Sequence, residues 1–340
     1  MRFLFLGAGA IGTYVGGSLA ASGHAVAFIE RPRTAEVIQA HGLKLHVGDR
    51  TTVVREVEVY TSAAEALAAG PYDVGVFALK SFDTATALDE LVGTGLTVPA
   101  ILSLQNGVDN EPLIAERLGA DRVLSGTVTT AVGKPGVGEV IEEKRRGMGV
   151  ALGHPLSEQV VAALDGAALT CRVFPTAGPM KWSKLLTNLT GNATSAILDL
   201  PVAAVFADSR LFRVEREVLR ECLAVMRALD YPPVDLPGTP VRALAFAAGR
   251  LPQLISQPIL TKALGSGRGD KMPSFHIDLH SGRGRTEVRW LHGAVARVGA
   301  EHGVATPVCS VLTETLEALS NKTEDLEKFR GKPEALLALL

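Results

Sequence analysis

The residues with the clearest chemistry are three polar side chains four apart, Lys184, Asn188 and Asn192, in the run WSKLLTNLTGN that begins at Trp182. Residues at i and i+4 share a helix face, so the spacing predicts one polar stripe on one helix. Leu185, Leu186 and Leu189 occupy the other faces, which lets the stripe look into a cavity; a plain solvent-facing stripe is the alternative. A lysine in a cavity can serve as a general acid. Hydride delivery to a carbonyl carbon leaves negative charge on oxygen, and a nearby ammonium with a transferable proton quenches it. Arginine does not give up its proton in practice, whereas lysine's pKa falls readily on burial. The two asparagines can orient a substrate without adding charge.

A second constellation opens the chain. Gly7-Ala8-Gly9-Ala10-Ile11-Gly12 follows an apolar run directly and precedes a helical pattern, the context in which GxGxxG becomes specific for a dinucleotide. Gly7 permits a tight turn, Gly9 lets a pyrophosphate approach the backbone, and Gly12 lets helix and strand pack closely. Free N–H groups and the helix dipole then hold the phosphates. Further on, the run Phe28-Ile29-Glu30-Arg31-Pro32-Arg33 ends the second predicted strand. Glu30 there favours NAD through a ribose hydroxyl, while Arg31 and Arg33 favour NADP through a 2′-phosphate. Two arginines against one glutamate tip the expectation to NADP.

These residues need a scaffold, and the chain supplies two kinds. Short apolar runs at 3–6, 25–29, 74–79, 100–104 and 123–128 alternate with helical stretches, which predicts a doubly wound parallel sheet of the Rossmann type. Glycine and valine alternation over 130–152 reads as short antiparallel strands, an edge extension of that sheet. Beyond Phe174 the pattern becomes long and helical, at 180–198, 204–229, 241–264, 287–302 and 308–319. The expected domains are 1–175 for the dinucleotide, 176–320 as an all-helical substrate and catalytic domain, and 321–340 as a C-terminal tail. That tail reads as a frayed terminus in preference to a homodimer contact.

Composition narrows the class. With 340 residues, 47% of them hydrophobic and 21% charged, the chain has material for about two cores. A balance of 34 basic against 36 acidic residues leaves no excess for a phosphate backbone, so nucleic acid is a poor partner. No apolar run reaches the ~18 residues of a membrane helix, and glycines interrupt the apolar start, unlike the unbroken core of a signal peptide. Three scattered cysteines, Cys171, Cys222 and Cys309, show neither disulfide nor zinc spacing, which fits a reducing cytoplasm and no metal.

Taken together, GAGAIG, Lys80 after its strand, Gln105-Asn106-Gly107, WSKLLTNLTGN and SFHIDLHSGRGRTE from Ser274 to Glu287 resemble the ketopantoate reductases (2-dehydropantoate 2-reductases) over nearly the whole length. Members of that family reduce ketopantoate to pantoate with NADPH for pantothenate and coenzyme A synthesis. The resemblance implies that Lys184 is the general acid and that Lys80, Asn106 and Ala131 contact cofactor and active site. It further implies that Asn188, Asn192 and Ser274 hold the substrate's carboxylate and hydroxyl, that Glu287 closes the site, and that Arg31 takes the 2′-phosphate. Helix capping is the plainer role for Ser274 and Glu287. The chain also departs from the family pattern. One extra residue separates Asp278 from Glu287, His292 and Arg289 replace an Asn and an acid, Val202 stands near another substrate Asn, and 248–271 is long. A related hydroxyacid or 2-oxo acid dehydrogenase, or a non-catalytic NADP-binding regulator, shares the fold.

Overall fold

Along the first strand, β1 (Arg2–Leu6), Phe3 and Phe5 are buried in one apolar cluster while Leu4 and Leu6 are buried in another. Strand side chains alternate in direction, so a strand apolar on both faces must lie inside a sheet covered on both sides. The computed structural model describes residues 1–265, 272–280 and 284–340. Part of the long 248–271 stretch, and part of the segment carrying the extra residue before Glu287, therefore lie outside the described residues.

The next elements are α1 (Ala10–Ala21), β2 (Ala25–Ile29), α2 (Pro32–His41), β3 (Leu43–Val47), β4 (Arg50–Val54) and β5 (Glu58–Tyr60). They are followed by α3 (Ala63–Ala68), β6 (Val74–Phe77), α4 (Thr84–Gly93), β7 (Ala100–Ser103), α5 (Asn110–Leu118) and β8 (Val123–Val128). Then come β9 (Ala131–Gly136), β10 (Glu139–Lys144), β11 (Met148–Ala151), α6 (Ser157–Gly166) and β12 (Cys171–Phe174). The main sheet has the order β12-β11-β8-β7-β6-β1-β2-β5. Its strands β8-β7-β6-β1-β2-β5 are parallel, and β11 runs antiparallel to β8. Chain order reverses at β1, which lies between β2 and β6, and the carboxyl ends flanking that reversal are where such sheets bind ligands.

Only part of 130–152 extends this sheet. The β11 segment does, but β9 and β10 join β3 and β4 in a separate four-stranded sheet of order β4-β3-β10-β9. Residues 43–54 supply half of that sheet, and their exposed, polar-rich β4 carries little strand signal.

The remaining helices are α7 (Ala177–Leu189), α8 (Asn192–Leu198), α9 (Val202–Ala207), α10 (Ser209–Ala228), α11 (Val241–Gly249), α12 (Gln253–Gly265), α13 (Ser274–His280), α14 (His292–Glu301), α15 (Pro307–Ser320) and α16 (Pro333–Leu337). Three of the long predicted helices are each two. Asp208 caps a fresh start by accepting from Arg210 N and Leu211 N, Pro252 interrupts 241–264, and Gly191 divides 180–198. The chain forms two compact units, Met1–Lys181 with Leu236–Thr239, and Trp182–Asp235 with Pro240–Leu340. Residues 321–340 are packed in the second unit and not frayed: Phe329 and Leu336 are buried, and Gly331 N donates to Leu198 O at 2.8 Å. No helix among the described residues is long and apolar enough to cross a membrane.

Candidate active site

In the first unit the glycine loop has the form its sequence requires. Gly7 sits at φ +94°, where side chains are strained. A Cβ on Gly12 would lie 1.9 Å from Gly7 O, so only glycine allows α1 to start this close to β1. Gly9 is different: the nearest atom to a Cβ there, outside the loop, is Ala78 O at 3.8 Å. No protein group demands that glycine, and the space beside it is free for a ligand. Gly9 is also the N-cap of α1 and provides no side-chain cap. Ala10, Ile11 and Gly12 thus form a first turn with no side-chain cap, suited to phosphate oxygens.

Glu30 spans the loop. Its Oε1 accepts from Ala8 N at 2.5 Å and its Oε2 from Arg31 N at 3.0 Å. Both oxygens are engaged by backbone, while Arg31 and Arg33 stand exposed at the start of α2. Lys134, on β9, donates to Ala8 O at 3.0 Å and adds a cation to the loop that the sequence reading missed.

Lys80 and Asn106 follow β6 and β7, and a buried polar network joins their loops. Ser81 Oγ and Asn110 Nδ2 both donate to Asn106 O, at 3.0 and 2.8 Å. Gln105 Nε2 donates to Thr84 Oγ1 at 2.7 Å, and Thr84 Oγ1 to Asn110 Oδ1 at 2.9 Å. Lys181 completes it. This lysine is 4% exposed, donates to Gln105 O at 2.7 Å and Gly126 O at 3.3 Å, and pairs with Glu111 at 2.7 Å. Its ammonium therefore fixes the backbone next to Asn106, a role that its place one turn before Lys184 does not reveal. Ala131 begins β9, just after Thr130, whose Oγ1 accepts from Gly147 N at 2.9 Å.

In the second unit the predicted single stripe is broken. Lys184 and Asn188 lie on α7, but α7 ends at Leu189 and Asn192 begins α8. Gly191 between them has φ +63°, and its N–H donates to Glu215 Oε2 at 2.6 Å. That N–H is thereby taken from the helix ladder by a carboxylate on α10 that is 1% exposed. Glu215 lies four residues after Leu211 and four before Leu219, an apolar-face position where a charge signals a buried partner. Asn192 remains beside Asn188: its Nδ2 donates to Asn188 O at 3.1 Å and reaches Ser274 Oγ at 3.4 Å. Its Oδ1 accepts from Phe275 N at 3.1 Å, which sets Ser274 at the exposed start of α13. The structure thus brings Asn188, Asn192 and Ser274 together, with Lys184 one turn before Asn188 on the same helix.

Glu287 is 4% exposed and occupies the N-cap of the turn Val288–Trp290, yet its carboxylate makes no capping bond. Capping by its side chain is therefore not its role. Nearby in sequence, His292 is 1% exposed, its ring lies 5.9 Å from that of Phe275, and burial pushes its pKa down to about 3. It is a neutral imidazole at the start of α14. Cys171, Cys222 and Cys309 are free thiols whose pKa values burial raises.

Comparison with known proteins agrees with both halves. The family model described as ketopantoate reductase PanE/ApbA matches residues 3–151, and that of the same family's C-terminal part matches 178–320. The 2-dehydropantoate 2-reductase of Halobacterium salinarum is 31% identical over 327 residues, covering 92% of this chain and 97% of that one. A PanE/ApbA family ketopantoate reductase from Ralstonia eutropha superposes with a TM-score of 0.80 at 27% identity, covering 96% of this chain and 100% of that one. A D-mandelate dehydrogenase solved with NADH and anilino(oxo)acetate has the same fold, with a TM-score of 0.77 at 21% identity over 95% and 99% of the two chains. A glycine cradle on one unit, a Lys-Asn-Asn-Ser set on the other, and family matches over both place this chain in the ketopantoate reductase family, as an oxidoreductase of the 2-dehydropantoate 2-reductase type.

Proposed function

We propose that this protein reduces 2-dehydropantoate to pantoate with NADPH, with Lys184 as proton donor to the C2 oxygen. The observation that supports it is the Asn188, Asn192 and Ser274 cluster, hydrogen-bonded through Asn192, one turn from Lys184 on α7. When bound, the cofactor supplies the hydride. Gly7, Ala8, Gly9, Ala10, Ile11 and Gly12 hold its pyrophosphate, Arg31 its 2′-phosphate, and Lys80, Asn106 and Ala131 contact it nearer the reacting end. NADPH is preferred over NADH because both oxygens of Glu30 are engaged by Ala8 N and Arg31 N, while the arginines are exposed.

Lys184 gives its Nζ proton to the carbonyl oxygen as charge develops there and is reprotonated from solvent. Asn188, Asn192 and Ser274 hold the substrate carboxylate and hydroxyl. Glu287 accepts a hydrogen bond from that hydroxyl, so an analogue lacking it loses that bond. The small-molecule 2-oxo acid is the partner, neither nucleic acid nor membrane is one, and the working compartment is the cytoplasm.

The test follows loss of reduced-nicotinamide absorbance with ketopantoate and with its deoxy analogue 2-oxo-3-methylbutanoate. A site that reads the hydroxyl discriminates strongly, by up to about 10⁴-fold in kcat/KM, and Glu287→Gln reduces the gap. Equal efficiency on both substrates rejects the Glu287 role and points to a broader 2-oxo acid reductase. No turnover on any 2-oxo acid rejects the enzymatic reading.

A further inference from the structure

At the end of α8 and along α13 lies a group to which the reaction above assigns no role. Asp199 follows α8 in the left-handed region at φ +52°, and His276 and His280 sit four apart on α13, with ring centroids 4.2 Å from each other. Ligand atoms of the three side chains all lie within 4.8 Å of one another. His276 Nε2 and Asp199 Oδ1 share a proton at 2.6 Å. Residues i and i+4 on a helix face one way, so both imidazoles reach one point, and the carboxylate comes from the neighbouring helix end.

The surroundings are those of a metal ligand set. His280 Nε2 donates to Ala196 O at 3.1 Å, which leaves the lone pair of the neutral ring on Nδ1. Ligating histidines characteristically donate their other nitrogen to a carbonyl in this way. Asp199 Oδ2 is held by Arg330 at 3.2 Å, leaving Oδ1 for the ion, and Arg330 is itself neutralised by Glu327. Asp199, Arg330 and Glu327 sum to one negative charge beside two imidazoles, a favourable balance for a divalent cation. Two imidazoles and one carboxylate suit zinc and similar borderline ions, in place of calcium or magnesium, which prefer oxygen throughout.

We propose that Asp199, His276 and His280 bind one divalent transition ion, zinc by donor chemistry, which bridges α8 and α13. Tetrahedral ligand atoms stand about 3.3 Å apart, so each side-chain tip moves by roughly an ångström or less. The ion takes the place of the proton shared by Nε2 and Oδ1; a neutral His276 moves that proton to Nδ1, and an imidazolium releases it to solvent. Solvent fills the fourth position. No such site was expected from the sequence, because its ligands are divided between residues 199 and 276–280 and have no CxxC or HxxxH-with-glutamate signature.

The experiment strips the full-length protein with a chelator and titrates it with zinc by calorimetry and with cobalt by visible absorption. One ion per chain is expected, with a tetrahedral cobalt band and a melting temperature raised by about 2 °C or more at saturation. His280→Ala leaves the Asp199 to His276 hydrogen bond in place, and Asp199→Asn keeps a residue that tolerates the left-handed region. Each should weaken binding at least about tenfold, since loss of even an outer-shell partner of a ligand costs about 10- to 100-fold. Absence of stoichiometric binding overturns the proposal. So does wild-type affinity in both folded variants, which would locate the ion elsewhere.

Discussion

Two glycine turns lie in the two candidate halves of the site, and they are imposed in different ways. Gly7, at φ +94°, turns because the chain after it must enter α1 with Gly12 pressed against its own carbonyl. Neighbours outside the loop add to this, since a Cβ on Gly7 would also meet Leu79 Cδ2 at 2.9 Å and its N–H donates to Ile29 O at 3.2 Å, but the glycine spacing itself is written within six residues. Gly191, at φ +63°, turns because Glu215, 24 residues later, takes its N–H. Its Cβ would also meet Val202 Cγ1 at 2.9 Å. The first turn is announced by a local glycine code and the second is set by an acceptor far along the chain, so on the proposed roles the glycine loop should respond to change in its own residues and the Asn192 end to change at a distance.

The largest expected effect separates the two halves directly. Lys184→Ala should lower kcat by about 10²- to 10⁴-fold, the usual cost of losing a general acid. NADPH affinity, measured by fluorescence titration, should stay near wild type, because the ammonium acts where charge develops and not on the dinucleotide. A fall of less than tenfold in steady-state rate would show Lys184 to be a surface or structural residue.

Next comes the carboxylate that makes the second turn. Glu215→Ala leaves a buried N–H in a left-handed turn without its acceptor and should cost about 1 to 3 kcal/mol in urea unfolding. Glu215→Gln retains an acceptor oxygen and should recover most of it. Because Gly191 sets the start of α8, the Ala variant should also raise the KM for the 2-oxo acid more than that for NADPH. Equal stability of the Ala variant and the wild type would mean that Gly191 turns without Glu215.

This difference explains what could be read from the sequence. The glycine cradle, the parallel strands at 3–6, 25–29, 100–104 and 123–128, and the helical second half follow from local patterns, and the structure has them. The family resemblance adds Ser274 to Asn188 and Asn192, and Asn192 Nδ2 does lie within hydrogen-bond distance of Asn188 O and Ser274 Oγ. The single-helix stripe was not correct, because periodicity registers spacing and is blind to an acceptor arriving from α10. The β3-β4-β10-β9 sheet was missed for a similar reason: its strands are short, partly exposed and drawn from segments some 80 residues apart. Lys181 stayed hidden because its partners are backbone carbonyls at Gln105 and Gly126, which carry no sequence signal.

Another effect bears on the second unit through pH. Burial holds His292 at about 3, against an ordinary 6.5, so the folded protein keeps it neutral where the unfolded chain takes up a proton. Stability due to this group is complete above pH 6.5 and falls as pH drops toward 3, by up to about 1.4 kcal/mol per pH unit. His292→Asn, the residue the family pattern carries there, should flatten the urea-unfolding stability between pH 6 and about 4. If the variant and the wild type lose stability in parallel over that range, His292 is not a source of acid sensitivity.

The last expected effect returns to the first unit and asks whether its cofactor choice is set within its own loop. Arg31 and Arg33 are exposed at the start of α2, and a charge-assisted contact to a phosphate contributes about 1.5 to 3 kcal/mol. The wild type should therefore bind NADPH over NADH by about tenfold or more, and Arg31→Ala should narrow that gap with little change in NADH affinity. Glu30 works in the opposite direction: its carboxylate, now on Ala8 N and Arg31 N, would repel a 2′-phosphate brought near it. Glu30→Gln should accordingly widen the preference for NADPH, since it keeps an acceptor for Ala8 N and loses the charge. Equal affinities for the two cofactors in the wild type would reverse the assignment and make Glu30, through a ribose hydroxyl, the residue that decides.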